Sequence, residues 1–151
     1  MSKLSDYLRA DHRYCDGLMD LIEPLASNAK WEEAGQALLA FVGAQERHLE
    51  REERVLFPAM EQTHGSPLGP VRMMRVEHEG VRALLAETAA ALSRRDQREL
   101  AAVMQTLRTV LQEHCLKEES VLYPMADVLL AEQDASLLQA LESRRPIAAV
   151  R

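Results

Sequence analysis

The sequence predicts an all-α protein that folds as an antiparallel up-down-up-down four-helix bundle. Three observations support this fold class: the chain repeats itself at an offset of 66 residues, its apolar residues recur with helical spacing, and its turn-like segments lie midway between successive histidines. The repeat is clearest where residues 48–58 return as residues 114–124, with six of eleven positions identical. His12 and His78 share the same offset, so one helical hairpin is used twice.

The first hairpin is predicted from two helices of about residues 5–27 and 31–62. Ser5 or Asp6 is a suitable N-cap for the first helix, because a short polar side chain can accept a hydrogen bond from the first free backbone amides. Pro24 is expected to kink or end this helix, since proline lacks the amide hydrogen that a helix interior requires.

The second hairpin is predicted from a third helix, after residues 67–70 and ending near Ser93, and a fourth helix over about residues 96–130. Pro58 and Pro124 fall late in the second and fourth helices and are expected to bend both at equivalent points. A short additional helix is predicted over residues 134–142. The domain is therefore expected to span residues 1–143, followed by a flexible tail at 144–151.

The predicted turns also place the histidines at one height. His12 and His48 average to position 30, His48 and His78 to 63, and His78 and His114 to 96, and each midpoint falls in a turn-like segment. Residues equally far from an antiparallel turn lie level with one another. Eighteen residues of helix correspond to about 27 Å, so the four imidazoles are predicted deep within the bundle.

Composition and charge exclude several classes of protein. The chain has 151 residues, of which 47% are hydrophobic, and a net charge of -6 with no basic stripe, which argues against nucleic acid as a partner. The longest apolar run, residues 37–44, is far shorter than the roughly 20 residues that span a bilayer. The N-terminus has no apolar secretion core, and two cysteines are too few for a disulfide framework. A cytoplasmic protein without a membrane partner is therefore expected.

Each half of the repeat contains a His-x-x-x-Glu motif that predicts a metal site. Residues four apart lie on one face of a helix, so His48 with Glu52, and His114 with Glu118, can direct an imidazole and a carboxylate to one point. The adjacent Glu53 and Glu119 are expected to point away, either into solvent or behind the ligands. Imidazole and carboxylate ligands suit iron, manganese or zinc.

Two carboxylates shared among four histidines predict a pair of bridged cations. One cation would bind His12 and His48, the other would bind His78 and His114, and Glu52 and Glu118 would span both. About four protein ligands per metal leave room for a bridging oxygen and a small external ligand. The competing interpretation is a metal-free bundle in which duplication has copied buried histidines, but two carboxylates in the middle of a bundle are costly unless paired or bound to metal.

The order His, His-x-x-x-Glu, His, His-x-x-x-Glu, followed by Leu-Phe-Pro and Leu-Tyr-Pro, resembles the hemerythrin-like, or HHE cation-binding, domain family over about residues 5–130. The resemblance implies a non-haem di-iron centre, oxo- or hydroxo-bridged, with zinc or manganese as less favoured occupants. The implied ligands are His12, His48, Glu52, His78, His114 and Glu118. The implied function is binding or sensing of oxygen, nitric oxide or hydrogen peroxide, with slow detoxifying turnover as an extension.

The alternatives are an iron-binding protein for storage, delivery or repair of iron centres, and a metal-responsive interaction module. Oxygen-carrying hemerythrins have a further histidine one turn from the third-helix histidine, whereas here Met74 and Arg82 occupy the two positions four residues from His78. Reversible oxygen storage is therefore disfavoured. No designated enzymatic role is predicted.

The remaining reactive side chains are assigned to packing or solvent. Asp16 is expected either to supply an extra carboxylate to the site or to pair with Arg82. His64 is expected in solvent, whereas the core is predicted to take two cysteines and four methionines: Cys15, Cys115, Met19, Met73, Met74 and Met104. The tyrosines Tyr7, Tyr14 and Tyr123 could approach the site, where one of them could complete the coordination, but packing is the favoured role of each.

Overall fold

The protein is described by a computed structural model over residues 3–143, which consists of helices joined by short turns and contains no strand within that range. The first helical stretch is α1 and α2, the second is α3, a π-helical turn and α4, the third is α5, and the fourth is α6, a second π-helical turn and α7. Their bounds are α1 Lys3–Met19, α2 Ile22–Ser27, α3 Trp31–Arg51, π Glu52–Leu56, α4 Phe57–His64, α5 Gly69–Ser93, α6 Gln97–Lys117, π Glu118–Leu122 and α7 Tyr123–Leu129.

The four stretches form the predicted antiparallel bundle. Helix α1 packs against α3, α3 against α5, and α5 against α6, while α2 closes the ring against α6. A short 3-10 turn, Ala131–Gln133, leads into α8, Asp134–Glu142, which packs on α1 and confirms the predicted C-terminal helix. The Asp96 side chain caps α6 by accepting a hydrogen bond from the Glu99 amide at 3.0 Å.

Pro24 interrupts the first helix at a point that precedes the proline itself along the chain. The break lies at residues 20–21, between α1 and α2, because Pro24 has no amide hydrogen to donate to the carbonyl of Asp20 four residues before it. Pro24 itself lies in the first turn of α2, where a missing amide hydrogen costs nothing.

The other two helix prolines are accommodated by π-helical turns at equivalent positions of the repeat. The Phe57 amide donates to the Glu52 carbonyl, and the Tyr123 amide donates to the Glu118 carbonyl, so each wider turn begins at a predicted ligand and ends just before Pro58 or Pro124. The helices therefore continue through both prolines. Turns of this kind are frequent at functional sites, because they reorient side chains without ending the helix.

The repeat extends to the turns that close each hairpin. Ala29 and Arg95 lie 66 residues apart, and both have positive φ, at 58° and 54°. The amide of the next residue reaches back to the helix in each case, from Lys30 to the Leu25 carbonyl and from Asp96 to the Ala91 carbonyl. These bonds satisfy carbonyls that the helix end would otherwise leave free.

The core consists of two apolar clusters on either side of the histidine level. Phe41 and Leu107 lie in the cluster towards the hairpin turns, and Phe57 and Tyr123 lie in the cluster under α8. As predicted, Cys15, Met19, Met74 and Met104 are buried, and Cys115 is half-buried. Burial raises the pKa of Cys15 to about 11, as expected for a packing residue rather than a reactive thiol.

Two of the packing predictions are wrong. Tyr14 is 59% exposed and Met73 is 55% exposed, because both point outward from faces of α1 and α5 that no other described helix covers. His64 is exposed, as predicted, and its Nδ1 lies 3.0 Å from the Ser66 hydroxyl. The predicted flexible tail, residues 144–151, lies outside the described residues. None of the described helices has the length and apolar character needed to cross a membrane.

We predict that Ala29→Gly stabilises the fold. Glycine adopts positive φ without the steric cost that a Cβ carries, and this gain outweighs the greater freedom that glycine has in the unfolded chain. We expect an increase of about 1 kcal/mol in the free energy of unfolding, measured by chemical denaturation. Ala126→Gly, at a buried position with ordinary helical geometry, serves as the control and should destabilise. A loss of stability in Ala29→Gly would contradict the prediction.

Candidate metal centre

All six predicted ligands meet in one buried layer between the two apolar clusters. Each is at most 5% exposed, and Glu52, His78 and Glu118 are fully buried. Their ligand atoms form two groups, each within 4.8 Å, and both groups contain the carboxylates of Glu52 and Glu118. The first group adds His12 and His48, and the second adds His78 and His114. The pairing of histidines matches the one that the sequence predicts.

The first group is drawn together around the Nε2 atoms of its histidines. His12 Nε2 lies 3.0 Å from His48 Nε2 and 2.9 Å from Glu118 Oε1, and His48 Nε2 lies 3.4 Å from Glu52 Oε1. The two rings meet edge to face with centroids 4.6 Å apart. Two imidazole nitrogens and two carboxylate oxygens thus face one small space, which is the donor set that a borderline metal ion takes.

The second group holds polar atoms that have no hydrogen-bond partner. Glu52 Oε1, His78 Nε2, His114 Nε2 and Glu118 Oε2 are all buried and make no hydrogen bond, although His78 Nε2 lies 3.1 Å from Glu52 Oε1 and His114 Nε2 lies 3.2 Å from Glu118 Oε2. Buried polar atoms without partners cost free energy. A cation among these four atoms would satisfy them all, so the residues fit a metal ion.

A carboxylate lies behind every imidazole of the layer. Each Nδ1 is within 2.6–3.1 Å of an acidic side chain from a neighbouring helix: His12 of Glu119, His48 of Asp11, His78 of Glu53 and His114 of Glu77. An ionised carboxylate can only accept, so each Nδ1 carries the proton and donates it. A neutral imidazole of this tautomer directs its Nε2 lone pair into the layer, which is the arrangement found behind metal-bound histidines.

Cations keep three of these outer carboxylates ionised. Burial alone would raise the pKa values of Asp11, Glu53 and Glu77, but hydrogen bonds and charges from the histidines and from a neighbouring cation lower all three. The cations are Arg51 for Asp11, Arg82 for Glu53 and Lys117 for Glu77. Glu53 and Glu119 were expected either in solvent or behind the ligands. Their contacts with the Nδ1 atoms of His78 and His12 place both behind the ligands.

The inner carboxylates and imidazoles share protons in the absence of a cation. Burial alone lowers the pKa of His78, but the adjacent carboxylates of Glu118 and Glu52 outweigh it and raise this pKa to about 10. Burial and the neighbouring charge of Glu118 raise the pKa of Glu52, whereas Glu118, despite its burial, has a lowered pKa because it accepts hydrogen bonds from the histidines. A metal ion would replace these protons as the positive charge of the layer.

Tyr123 reaches the layer, which is the alternative that the sequence left open beside the packing role favoured for this tyrosine. Its hydroxyl donates to Glu52 Oε2 at 2.6 Å and lies 3.2 Å from both His12 Nε2 and Glu118 Oε1. Burial and the charges of the two carboxylates raise its pKa well above the usual range, so the phenol stays protonated and remains a donor. At the equivalent position of the repeat, Phe57 stacks on His78 without a hydroxyl.

Both alternatives for Asp16 are wrong. Its carboxylate belongs to neither ligand group, and it does not pair with Arg82. Arg82 instead binds Glu46, Glu53 and Glu79. Asp16 lies one turn along α1 from His12, at an exposed position. It therefore does not add a second ligand from this helix.

Asp11 and Glu77 are parts of the site that the sequence patterns above do not identify. A signal was present, because both are acidic and both directly precede a predicted ligand histidine at the 66-residue offset. Each lies on a different helix from the imidazole that it contacts. Intrahelical spacing could therefore not connect Asp11 with His48, or Glu77 with His114.

The described residues define an all-α bundle whose two buried His/Glu clusters, joined by Glu52 and Glu118, fit a dinuclear metal site. The chain matches the family model of the hemerythrin HHE cation binding domain over residues 3–126, which confirms the resemblance seen in the sequence. The protein therefore belongs to the hemerythrin HHE cation-binding family. No curated protein and no solved structure matches it significantly.

We predict that Glu77→Ala weakens metal binding. The substitution removes the acceptor behind His114, and loss of such a partner typically lowers metal affinity about 10- to 100-fold. Competition with a chelator of known affinity measures the change. Glu113→Ala, which removes an exposed glutamate next to His114 on α6, should leave affinity unchanged. Equal affinities in both variants would show that the Glu77 contact does not support the site.

Proposed function

We propose that this protein is a non-haem di-iron protein that binds or senses a small diatomic or peroxide ligand: oxygen, nitric oxide or hydrogen peroxide. The supporting observation is the pair of four-residue groups that share Glu52 and Glu118. We assign the six residues of these groups as the ligands, with His12 and His48 on one iron and His78 and His114 on the other. Family membership supports cation binding, and the donor set favours iron among the candidate metals.

The ligand count favours a function that uses open coordination positions. Two imidazoles and two shared carboxylates provide about four protein ligands for each ion, whereas an octahedral site has six positions. When bound, a pair of iron ions supplies these open positions and the electrons that a small ligand can accept. The surrounding side chains then decide which ligand enters.

The chain's own residues orient and shield a ligand in three ways. The outer carboxylates hold each imidazole with Nε2 turned inward. Phe57 and Tyr123 stack on His78 and His12, at 5.6 and 5.7 Å between ring centroids, and cover the layer towards α8. The Tyr123 hydroxyl donates to Glu52 Oε2, and by turning its hydrogen away from this carboxylate it would donate to a small oxygen- or nitrogen-containing ligand.

Storage or delivery of iron is the less favoured function. Release of iron to an acceptor requires ligands that an acceptor can reach, and all six candidate ligands are at most 5% exposed. Two apolar clusters cover the layer from above and below. Burial of this degree favours a resident metal pair.

Anaerobic reconstitution is expected to load two irons per chain and to produce a near-ultraviolet absorption change on exposure to air. His48→Ala and Glu118→Ala should each reduce the content to one iron or less, because each removes a ligand from a group that has only four. His64→Ala is the matched control, since this histidine lies exposed at the end of α4 and should leave two irons. One zinc per chain and no response to air would overturn the proposed function.

Tyr123→Phe is expected to retain two irons and to release nitric oxide faster. The substitution keeps the ring that stacks on His12 and removes the hydroxyl, and one hydrogen bond at a charged site corresponds to about a tenfold change. Stopped-flow absorption after addition of a nitric oxide trap measures the rate. Tyr14→Phe, at the exposed tyrosine, is the control. If both variants release nitric oxide at the wild-type rate, Tyr123 has no part in ligand binding.

A further inference from the structure

The contacts behind the four imidazoles follow the 66-residue repeat almost completely. Asp11 behind His48 corresponds to Glu77 behind His114, and each has a cation, Arg51 and Lys117 respectively, which are themselves equivalent positions. Glu53 behind His78 likewise corresponds to Glu119 behind His12. The exception is the cation of this second pair, because the equivalent of Arg82 is Asp16.

On the His78 side, Arg82 donates two hydrogen bonds to the outer carboxylate, that of Glu53. Its two terminal nitrogens lie 2.9 Å from Glu53 Oε2 and 2.9 Å from Glu53 Oε1. The same Oε2 accepts from His78 Nδ1 at 2.7 Å. Glu53 therefore divides its negative charge between an imidazole and a guanidinium, and paired bonds of this kind are strong.

On the His12 side, no cation grips the outer carboxylate. Glu119 Oε2 lies 2.6 Å from His12 Nδ1, and within residues 3–143 no arginine or lysine forms an ion pair with it. Arg9 donates instead to the backbone carbonyl of Glu119 at 3.3 Å. Asp16 stands where a cation would be needed, and its carboxylate repels that of Glu119.

Other differences in charge between the two halves lie further out. Glu46 and Glu79, the other partners of Arg82, are 39% and 74% exposed, and Arg13, the equivalent of Glu79, is exposed. Water screens charges at such positions. Arg9 has its own equivalent in Arg75, so it does not distinguish the halves.

A carboxylate that has no neighbouring cation accepts a stronger hydrogen bond from the imidazole Nδ1–H. The imidazole then holds more electron density at Nε2 and is a stronger metal ligand, because the outer hydrogen bond sets the basicity of the inner nitrogen. A carboxylate that is neutralised by a guanidinium accepts a weaker hydrogen bond from the imidazole. His12 and His78 therefore differ as ligands even though the six-residue set is symmetric.

We propose that the two metal positions are inequivalent, and that the His12–His48 position binds its cation more tightly than the His78–His114 position because Arg82 neutralises Glu53 while Glu119 has no cation. The inference rests on the dinuclear site of the proposed function, but not on iron or on a particular small ligand. Arg82 and Asp16 are positioning residues, since each acts through the glutamate that it faces.

Titration of the metal-free protein with Co²⁺, followed by visible absorption and calorimetry, tests the proposal. The wild-type chain should bind two ions in steps that differ about tenfold in affinity. His48→Ala should remove the tighter step and His114→Ala the weaker one, which assigns the steps to their positions.

Two variants should reduce the difference in affinity between the two Co²⁺ binding steps, one by weakening the tighter step and the other by strengthening the weaker step. Asp16→Arg gives Glu119 the missing cation and should weaken the tighter step. Arg82→Gln removes the charge but keeps a donor near Glu53, and should tighten the weaker step. Glu33→Arg makes the same change of charge as Asp16→Arg at the exposed start of α3, about 22 Å along the helix from His48, and should leave both steps unchanged.

Each outcome decides the proposal. Two indistinguishable steps in the wild type, or an unchanged separation in Asp16→Arg, would overturn the inference and leave the dinuclear site standing. Weaker binding in Arg82→Gln would show that Arg82 acts by holding Glu53 in place rather than by its charge, which also overturns it. Fewer than two ions in the wild type would overturn the proposed function as well. If Asp16→Arg does not fold, Arg82→Gln alone gives the answer.

Discussion

Burial of a complete polar layer is the constraint on which this structure depends. Four imidazoles and two carboxylates lie between two apolar clusters, where an unpaired charge costs several kcal/mol. The fold meets this cost in two shells. The outer carboxylates accept hydrogen bonds from the Nδ1 atoms, and the inner atoms face one another, with four of them unpartnered. The inner shell is complete only when cations occupy it, which connects the energetics of the fold directly to the proposed function.

The internal repeat is what brings these groups to one height. Equivalent positive-φ turns at Ala29 and Arg95, and equivalent π-helical turns before Pro58 and Pro124, make the two hairpins near copies. Pairing two copies around one axis places each His-x-x-x-Glu motif opposite the other. The shared carboxylates follow from this symmetry, because each one faces histidines of both halves.

The functional character of the site lies where the copies differ. Tyr123 in place of Phe57 puts a hydroxyl beside His12, and Arg82 in place of Asp16 neutralises one outer carboxylate and not the other. Both differences distinguish the surroundings of His12 from those of His78, since Tyr123 approaches His12 and Arg82 acts on the side of His78. The six candidate ligands are symmetric and their surroundings are not, which is the basis of the proposed inequivalence of the two metal positions.

The sequence by itself determined the helical class, the helix bounds to within a few residues, the level of the histidines and the pairing of the six candidate ligands. These features depend on spacing along one chain: helical periodicity, equal distances from turns and the repeat offset. Tertiary structure alone decided the roles of Asp11, Glu77, Glu119 and Tyr123, and it placed Asp16 and Tyr14 outside the site. Each of these depends on which neighbouring helix a side chain meets, and contacts between helices are set by how the faces pack rather than by spacing within either helix.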